Sequence, residues 1–480
     1  MIFSSPVFLL LFLPLVLLVT LASPRSWRNI ELLIASLVFY AWGEGLFVVV
    51  MLASIVANYG FGRWAEGART RGASRAPLVL AVSFNLGLLF VFKYANWFWR
   101  ELSRLVDTWS GAEASLPELA PMHLPIGISF FTFQALSYVI DVQRGVVPAQ
   151  RNLIRFGVYV SLFPQLVAGP IVRYRDVAAQ IVSRKIQSPE FAEGVRRFVI
   201  GLAKKMLIAN TLAYPVDQIF ALPTEQLATS VAWLAMVGYG LQIYFDFSGY
   251  SDMAIGLGHM LGFRFLENFQ HPYAARSITE FWRRWHISLS SWFRDYLYVP
   301  LGGNRKGRGR TYVNLLIVFI LCGLWHGASW SFLVWGLYHG SFLVLERAGL
   351  GTLLERVPSP LRFLYSLLVV LVGWVFFRSE TLGQAIDILA CAFGATGELA
   401  HFSNVWIFTT PVVGLAFAAG IIGSTPWLPA FGAWRERVAT TPVRALAFEV
   451  IALASIAGLF YLSLLELAAG SYNPFIYFRF

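Results

Sequence analysis

Apolar residues gather along the chain into runs near 6–22, 30–42, 45–60, 77–99, 124–141, 154–172, 195–220, 227–247, 312–345, 361–378, 404–424 and 445–468. A run of about 20 such residues, wound as a helix, crosses the hydrocarbon core of a bilayer. Some runs are too short or too polar to cross alone. The pattern therefore predicts about 11 transmembrane helices in an all-α, polytopic membrane protein. Pro164, Gly169 and Pro170 interrupt the sixth run. That predicts a broken or re-entrant segment enclosed by protein, because free backbone N–H and C=O groups are not tolerated against lipid.

The polar connections orient the spans. Arg63, Arg69, Arg71 and Arg75 face one acid, Glu66, in the connection 61–76, which predicts a cytoplasmic position. The connection 100–123 carries Glu101, Asp107, Glu113 and Glu118 and is expected outside; Arg144, Arg151 and Arg155 return the chain to the inside. Arg25 and Arg28 follow the first span, and Arg435, Arg437 and Arg444 precede the last, so both termini are expected on the extracytoplasmic side. No basic region precedes the first apolar run, which therefore reads as an uncleaved span.

Composition agrees. Of 480 residues, 57% are hydrophobic, 16% aromatic and 13% charged, with a mean hydropathy of +0.63. Soluble domains carry about 25% charged residues, so a soluble enzyme, a disordered chain and a fibrous protein are excluded. The net charge of +11 fits the basic bias of cytoplasmic loops better than nucleic-acid binding. Cys322 and Cys391 lie in apolar runs and offer neither a disulfide framework nor metal-ligand spacing.

Two features carry candidate chemistry. The longest polar stretch, 264–311, contains Phe281, Trp285, Trp292 and Tyr296 at helical spacings, with Arg283, Arg284 and Arg294 between them. It predicts an amphipathic helix along the membrane interface, or one folded into the mouth of a cavity; His286 would share its face with Arg283 and Ser290. The following Gly302–Arg310 loop, with Arg305, Lys306 and Arg308, is a positive-inside marker or a phosphate-binding loop. The second feature is histidine. His123 and His401 fall in outward loops, His259 near a helix end and His271 in a polar turn, all without assigned chemistry. His326 lies deep in the run 312–345, between Gly323 and Gly327. An ionisable group there is a functional candidate: a general base towards a hydroxyl, or a histidine bonded to a neighbouring helix. His339, about 220° further round one continuous helix, is read as structural. No HExxH or HxxxH pair occurs, so no metal site is expected. Asp246 and Asp252, at membrane depth, are expected to pair with Arg or Lys on adjacent helices.

Several segments together resemble the membrane-bound O-acyltransferase (MBOAT) family: LPIGISFFTFQALSYVID at 124–141, FPQLVAGPI at 163–171, GYGLQIYFDFSGYSDMAIGLG from 238, FWRRWHISLSSWFRDYLYVPLGGNRK from 281, GLWHGASW at 323–330 and GWVFFR at 373–378. Within the family the chain is most similar to the bacterial alginate and peptidoglycan O-acetylation branch, and less so to the teichoic-acid D-alanylation branch. The resemblance implies one membrane domain over 1–480 around a central tunnel, in a bacterial inner membrane. It also implies catalysis by His326, with His286 as the second motif histidine. The tail 471–480, SYNPFIYFRF, resembles the aromatic tail of a small D-alanylation partner, with Tyr477 at the position proposed there to carry the acyl group. The reaction expected is acetyl transfer from a cytoplasmic thioester, acetyl-CoA, held through its phosphates by Arg283, Arg284 and Arg305. No bound cofactor is expected. Trp325 is a candidate indole donor to the oxyanion. An extracytoplasmic SGNH-type acetyltransferase is the expected partner, passing acetyl to a polysaccharide such as alginate. The competing reading is a transporter or channel for a small anion, lined by the same polar groups.

Overall fold

The computed structural model describes residues 1–72, 74–110, 117, 119–470 and 472–473. Every regular element among them is helical, as the unbroken apolar runs require. Five helices are long and apolar enough to cross a membrane by length and composition: 28–70, 76–109, 308–326, 359–378 and 442–468. Other long segments, including Thr229–Met260, carry polar side chains and are enclosed by the rest of the protein.

Gly45, with φ +54, interrupts the first of these five, 28–70, between Arg28–Glu44 and Val48–Thr70. One end of the bundle is basic. There Arg144, Arg173, Arg175 and Arg294 converge on Asp295, with contacts of 2.6–3.4 Å. The opposite end holds Asp217, paired with Arg378 at 2.6 Å.

At the centre, Ser188–Ala203 runs along Thr229–Met260. The backbones approach closely because small residues face each other: a Cβ on Gly201 would lie 2.5 Å from the Gly249 carbonyl, and one on Gly194 2.6 Å from that of Gly256. This is the packing that membrane helices use when apolar burial gives no preference for protein over lipid. The predicted ion pairs are present: Lys205 meets Asp246 at 2.7 Å, and Arg197 and Lys204 meet Asp252 at 2.9 and 2.6 Å.

The interruption at 164–170 behaves as predicted. Leu153–Ser161 and Phe163–Leu166 are short helices, and the chain through Val172 is irregular and buried.

Candidate active site

The run 312–345 is two helices, not one. Arg308–His326 stops at Gly327, whose extended backbone breaks the ladder, and Ser329 caps Trp330–Leu345 by accepting from the Phe332 amide. The two helices form a tight hairpin. A Cβ on Gly323 would collide with the Phe332 carbonyl, and one on Gly336 with that of Phe319. His326 therefore ends a helix at the hairpin tip, buried within about 5 Å of the Trp325, Trp335 and Phe377 rings. His339 is also buried, against Trp282 and Gly373, and lines no cavity with His326. The continuous helix expected behind it is overturned, and both its ring nitrogens are without a hydrogen-bond partner among the described residues.

A helix that ends in an apolar interior leaves carbonyls without partners. Here Tyr94 Oη donates to the Leu324 carbonyl (2.7 Å), and Lys93 Nζ to those of Trp325 (2.6 Å) and His326 (2.9 Å). Lys93 lies in a π-helical turn, Phe90–Tyr94, an irregularity frequent at functional sites. Its signal in the sequence is a lone cation inside the apolar run 77–99. Lys93, Trp325 and His326 line a cavity of about 340 Å³ that extends past Phe130 and Ile126 to His123. His123, expected to be an ordinary loop residue, thus stands at the cavity's far end, with Nε2 2.9 Å from Glu44.

The basic-aromatic stretch is likewise two helices, Ile278–Arg284 and Ile287–Phe293, broken where His286 takes a left-handed conformation (φ +43). The single amphipathic helix is overturned, and with it the face shared by His286, Arg283 and Ser290. Phe281, Trp285, Trp292 and Tyr296 are buried in protein, so the stretch folds inward rather than lying on the interface. Buried Glu346 fixes its start, accepting from the Ile278 and Thr279 amides (2.6 and 2.9 Å).

The break carries His286 inward until its ring centroid is 6.3 Å from that of Trp325, which is itself 5.0 Å from His326. Four buried polar atoms around this group have no hydrogen-bond partner among the described residues: His286 Nε2, Trp325 Nε1, His326 Nδ1 and Trp335 Nε1. Buried polar groups without partners are uncommon and ask for a ligand or water. Asn268, a hydrogen-bond partner of His286, lines a smaller cavity of about 100 Å³ with Arg197, Lys204, Asp252, Glu267 and His271.

The arginines are less concentrated. Arg284 bonds Glu280 (2.7 Å) and the Gln270 carbonyl (3.3 Å), whereas Arg283 and Arg305 are exposed. None of the three lines the His326 cavity. Tyr477 lies outside the described residues; Tyr472 and Asn473, just before it, are held against Asp217, Asn210 and Ser4.

Residues 90–352 match the model of the MBOAT, membrane-bound O-acyltransferase, family. The chain belongs to that family and is an acyltransferase of the multi-pass membrane class, which sets aside the transporter reading. Over the whole of both chains it is 44% identical to the protein named "Probable alginate O-acetylase AlgI" in Pseudomonas putida. It is 34% identical to the peptidoglycan O-acetyltransferase of Helicobacter pylori, over 84% of this chain and 82% of that protein. Identity to the teichoic acid D-alanyltransferase of Bacillus subtilis is 30%, over 45% of this chain and 56% of that protein.

Proposed function

We propose that this acyltransferase moves acetyl groups from acetyl-CoA on the cytoplasmic side of a bacterial inner membrane to an acceptor on the other side. The acceptor is the Tyr477 hydroxyl or a serine of an extracytoplasmic SGNH-type partner, which then O-acetylates a polysaccharide of the alginate kind. Both termini lie outside. The observation that carries the reading is the placement of His326 and His286 around Trp325, with separate cavities beside them. Such a site can receive donor and acceptor separately.

His326 takes the proton of the incoming hydroxyl, and the oxygen bonds to the thioester carbonyl carbon. The C–S bond breaks, and the leaving sulfur carries the proton away as free thiol. Trp325 Nε1–H, which has no partner among the described residues, is a donor for the oxyanion. Arg283, Arg284 and Arg305 contact the donor's phosphates. An activated thioester needs no metal or redox group for this step.

His326→Ala, in purified protein supplied with acetyl-CoA and partner, is expected to lower thiol release and acetyl transfer by about 10²-fold or more. Its insertion and folded yield should be unchanged. Wild-type rates in that variant would overturn the assignment.

A further inference from the structure

The proposed chemistry leaves open what His286 can do, and its hydrogen bonds answer. Asn268 Oδ1 is 3.1 Å from His286 Nδ1. The same oxygen accepts from the Ser288 backbone amide (3.2 Å) and the Ser288 hydroxyl (2.9 Å). Asn268 Nδ2 donates away from this group, to Ser251 Oγ (3.1 Å). The orientation of a carboxamide follows from its partners, and here one partner settles it: a backbone N–H can only donate, so the atom facing Ser288 is oxygen. The Ser288 hydroxyl also lies 3.5 Å from Nδ1, but its proton goes to Asn268 Oδ1 at 2.9 Å; an oxygen lone pair facing Nδ1 is then compatible only with a protonated Nδ1. The neutral ring then carries a bare lone pair on Nε2, which is buried and without a partner.

We infer that Asn268 is a positioning residue that fixes His286 as the Nδ1–H tautomer, so that His286 acts in the acyl-transfer site as a hydrogen-bond acceptor through Nε2. The inference rests on the proposed role of the two-histidine site and narrows it. A neutral His286 of this tautomer cannot donate to an oxyanion. Oxyanion donation then falls to other groups at the site, Trp325 Nε1–H among them, while His286 Nε2 accepts a hydrogen bond from an N–H, O–H or S–H group. The group closest in chemistry is an amide N–H of a pantetheine-like thioester arm, or the S–H of the thiol released once the C–S bond has broken.

The arrangement is held from several directions. The Ile287 amide donates to the Asn268 carbonyl (3.0 Å), and the Ile171 amide to Ser288 Oγ (3.0 Å). The re-entrant segment and the loop after Met260 therefore both meet the helix break at the Ser288 hydroxyl, which accepts from Ile171 and donates to Asn268. The rings against His286 are Phe247 (4.6 Å) and Trp325 (6.3 Å). His326 is the titratable group it interacts with.

Two measurements test this. In ¹⁵N-histidine-labelled full-length protein, the signals lost in His286→Gln should show a protonated Nδ1 and a bare Nε2; a protonated Nε2 overturns the tautomer. Asn268→Asp keeps an acceptor for Nδ1–H and places a carboxylate beside it, which favours the imidazolium. The acid limb of its pH–rate profile for thiol release should move up by about one pH unit or more, with KM for acetyl-CoA changed less than kcat. An unmoved acid limb in folded Asn268→Asp overturns the positioning role. Wild-type activity in His286→Gln would instead remove the two-histidine reading, whatever the tautomer.

Discussion

At the scale of single residues, the site depends on buried polar atoms whose partners come from distant parts of the chain. Lys93 shows this best. Its ammonium bridges the carbonyls of Trp325 and His326, closing the C-terminal end of the histidine helix where a cation is also favoured by the helix dipole. Lys93→Met keeps the length of the side chain and removes the donors. It leaves two carbonyls unpaired in an apolar setting, a loss of about 1–3 kcal/mol, and frees the hairpin tip to shift. Small displacements of a catalytic group cost rate steeply, about 10²-fold for 1 Å. The expected result is a kcat for thiol release reduced at least tenfold, with a lower melting temperature and little change in KM. Unchanged kcat and stability would show that Tyr94 alone secures the helix end.

At the scale of elements, the segments around the site are short and joined by electrostatic ties. Asp295 lies in the polar stretch between spans and gathers arginines from three segments. Burial by itself would raise its carboxyl, but hydrogen bonds from Arg294 and Arg173, and their charges, hold it at about 2. A folded-state value below the unfolded one, about 3.9, contributes stability that is present above pH 4 and lost as pH falls towards 2. Thermal unfolding of the wild type between pH 5 and 2 should therefore fall more steeply than that of Asp295→Asn. Parallel slopes would place the acid sensitivity elsewhere. The elements also show what sequence pattern can and cannot reveal. Pro164 and Pro170 announce a helix break because proline removes a donor and fixes φ. The breaks at His286 and Gly327 are silent: aromatic spacing continues across the first and apolar residues across the second. Histidine at positive φ is uncommon, and nothing local in FWRRWH signals it; the conformation is held by Asn268 from outside the segment. Glu346 is equally hidden, since its partners, the amides of 278 and 279, lie 68 and 67 residues away.

At the scale of the whole molecule, Tyr472 and Asn473 are tied to segments far from them in the chain, the N-terminal Ser4 included. Asn473 Nδ2 donates to the Ser4 carbonyl (3.0 Å), its Oδ1 accepts from Asn210 Nδ2 (3.0 Å), and Tyr472 Oη donates to Asp217 (2.7 Å). Ile2 and Ser5, beside Ser4, line a second cavity of about 340 Å³ that shares Ile126 and Val167 with the one holding His326. Tyr477 is four residues past Asn473, so this anchor tethers it by at most about 14 Å of extended chain. If the Tyr477 hydroxyl is the acceptor of the proposed reaction, a short tether raises its effective concentration at nearby sites, and variants of the hydroxyl and of the tether separate it from a partner serine. Tyr477→Phe keeps the ring and removes the hydroxyl, and is expected to stop acetyl transfer to the partner. Asn473→Ala leaves the hydroxyl but loosens the tether, and is expected to slow transfer by about tenfold. Wild-type transfer in Tyr477→Phe assigns the acceptor to the partner's serine; loss in Tyr477→Phe with none in Asn473→Ala keeps the hydroxyl and removes the tether from the argument.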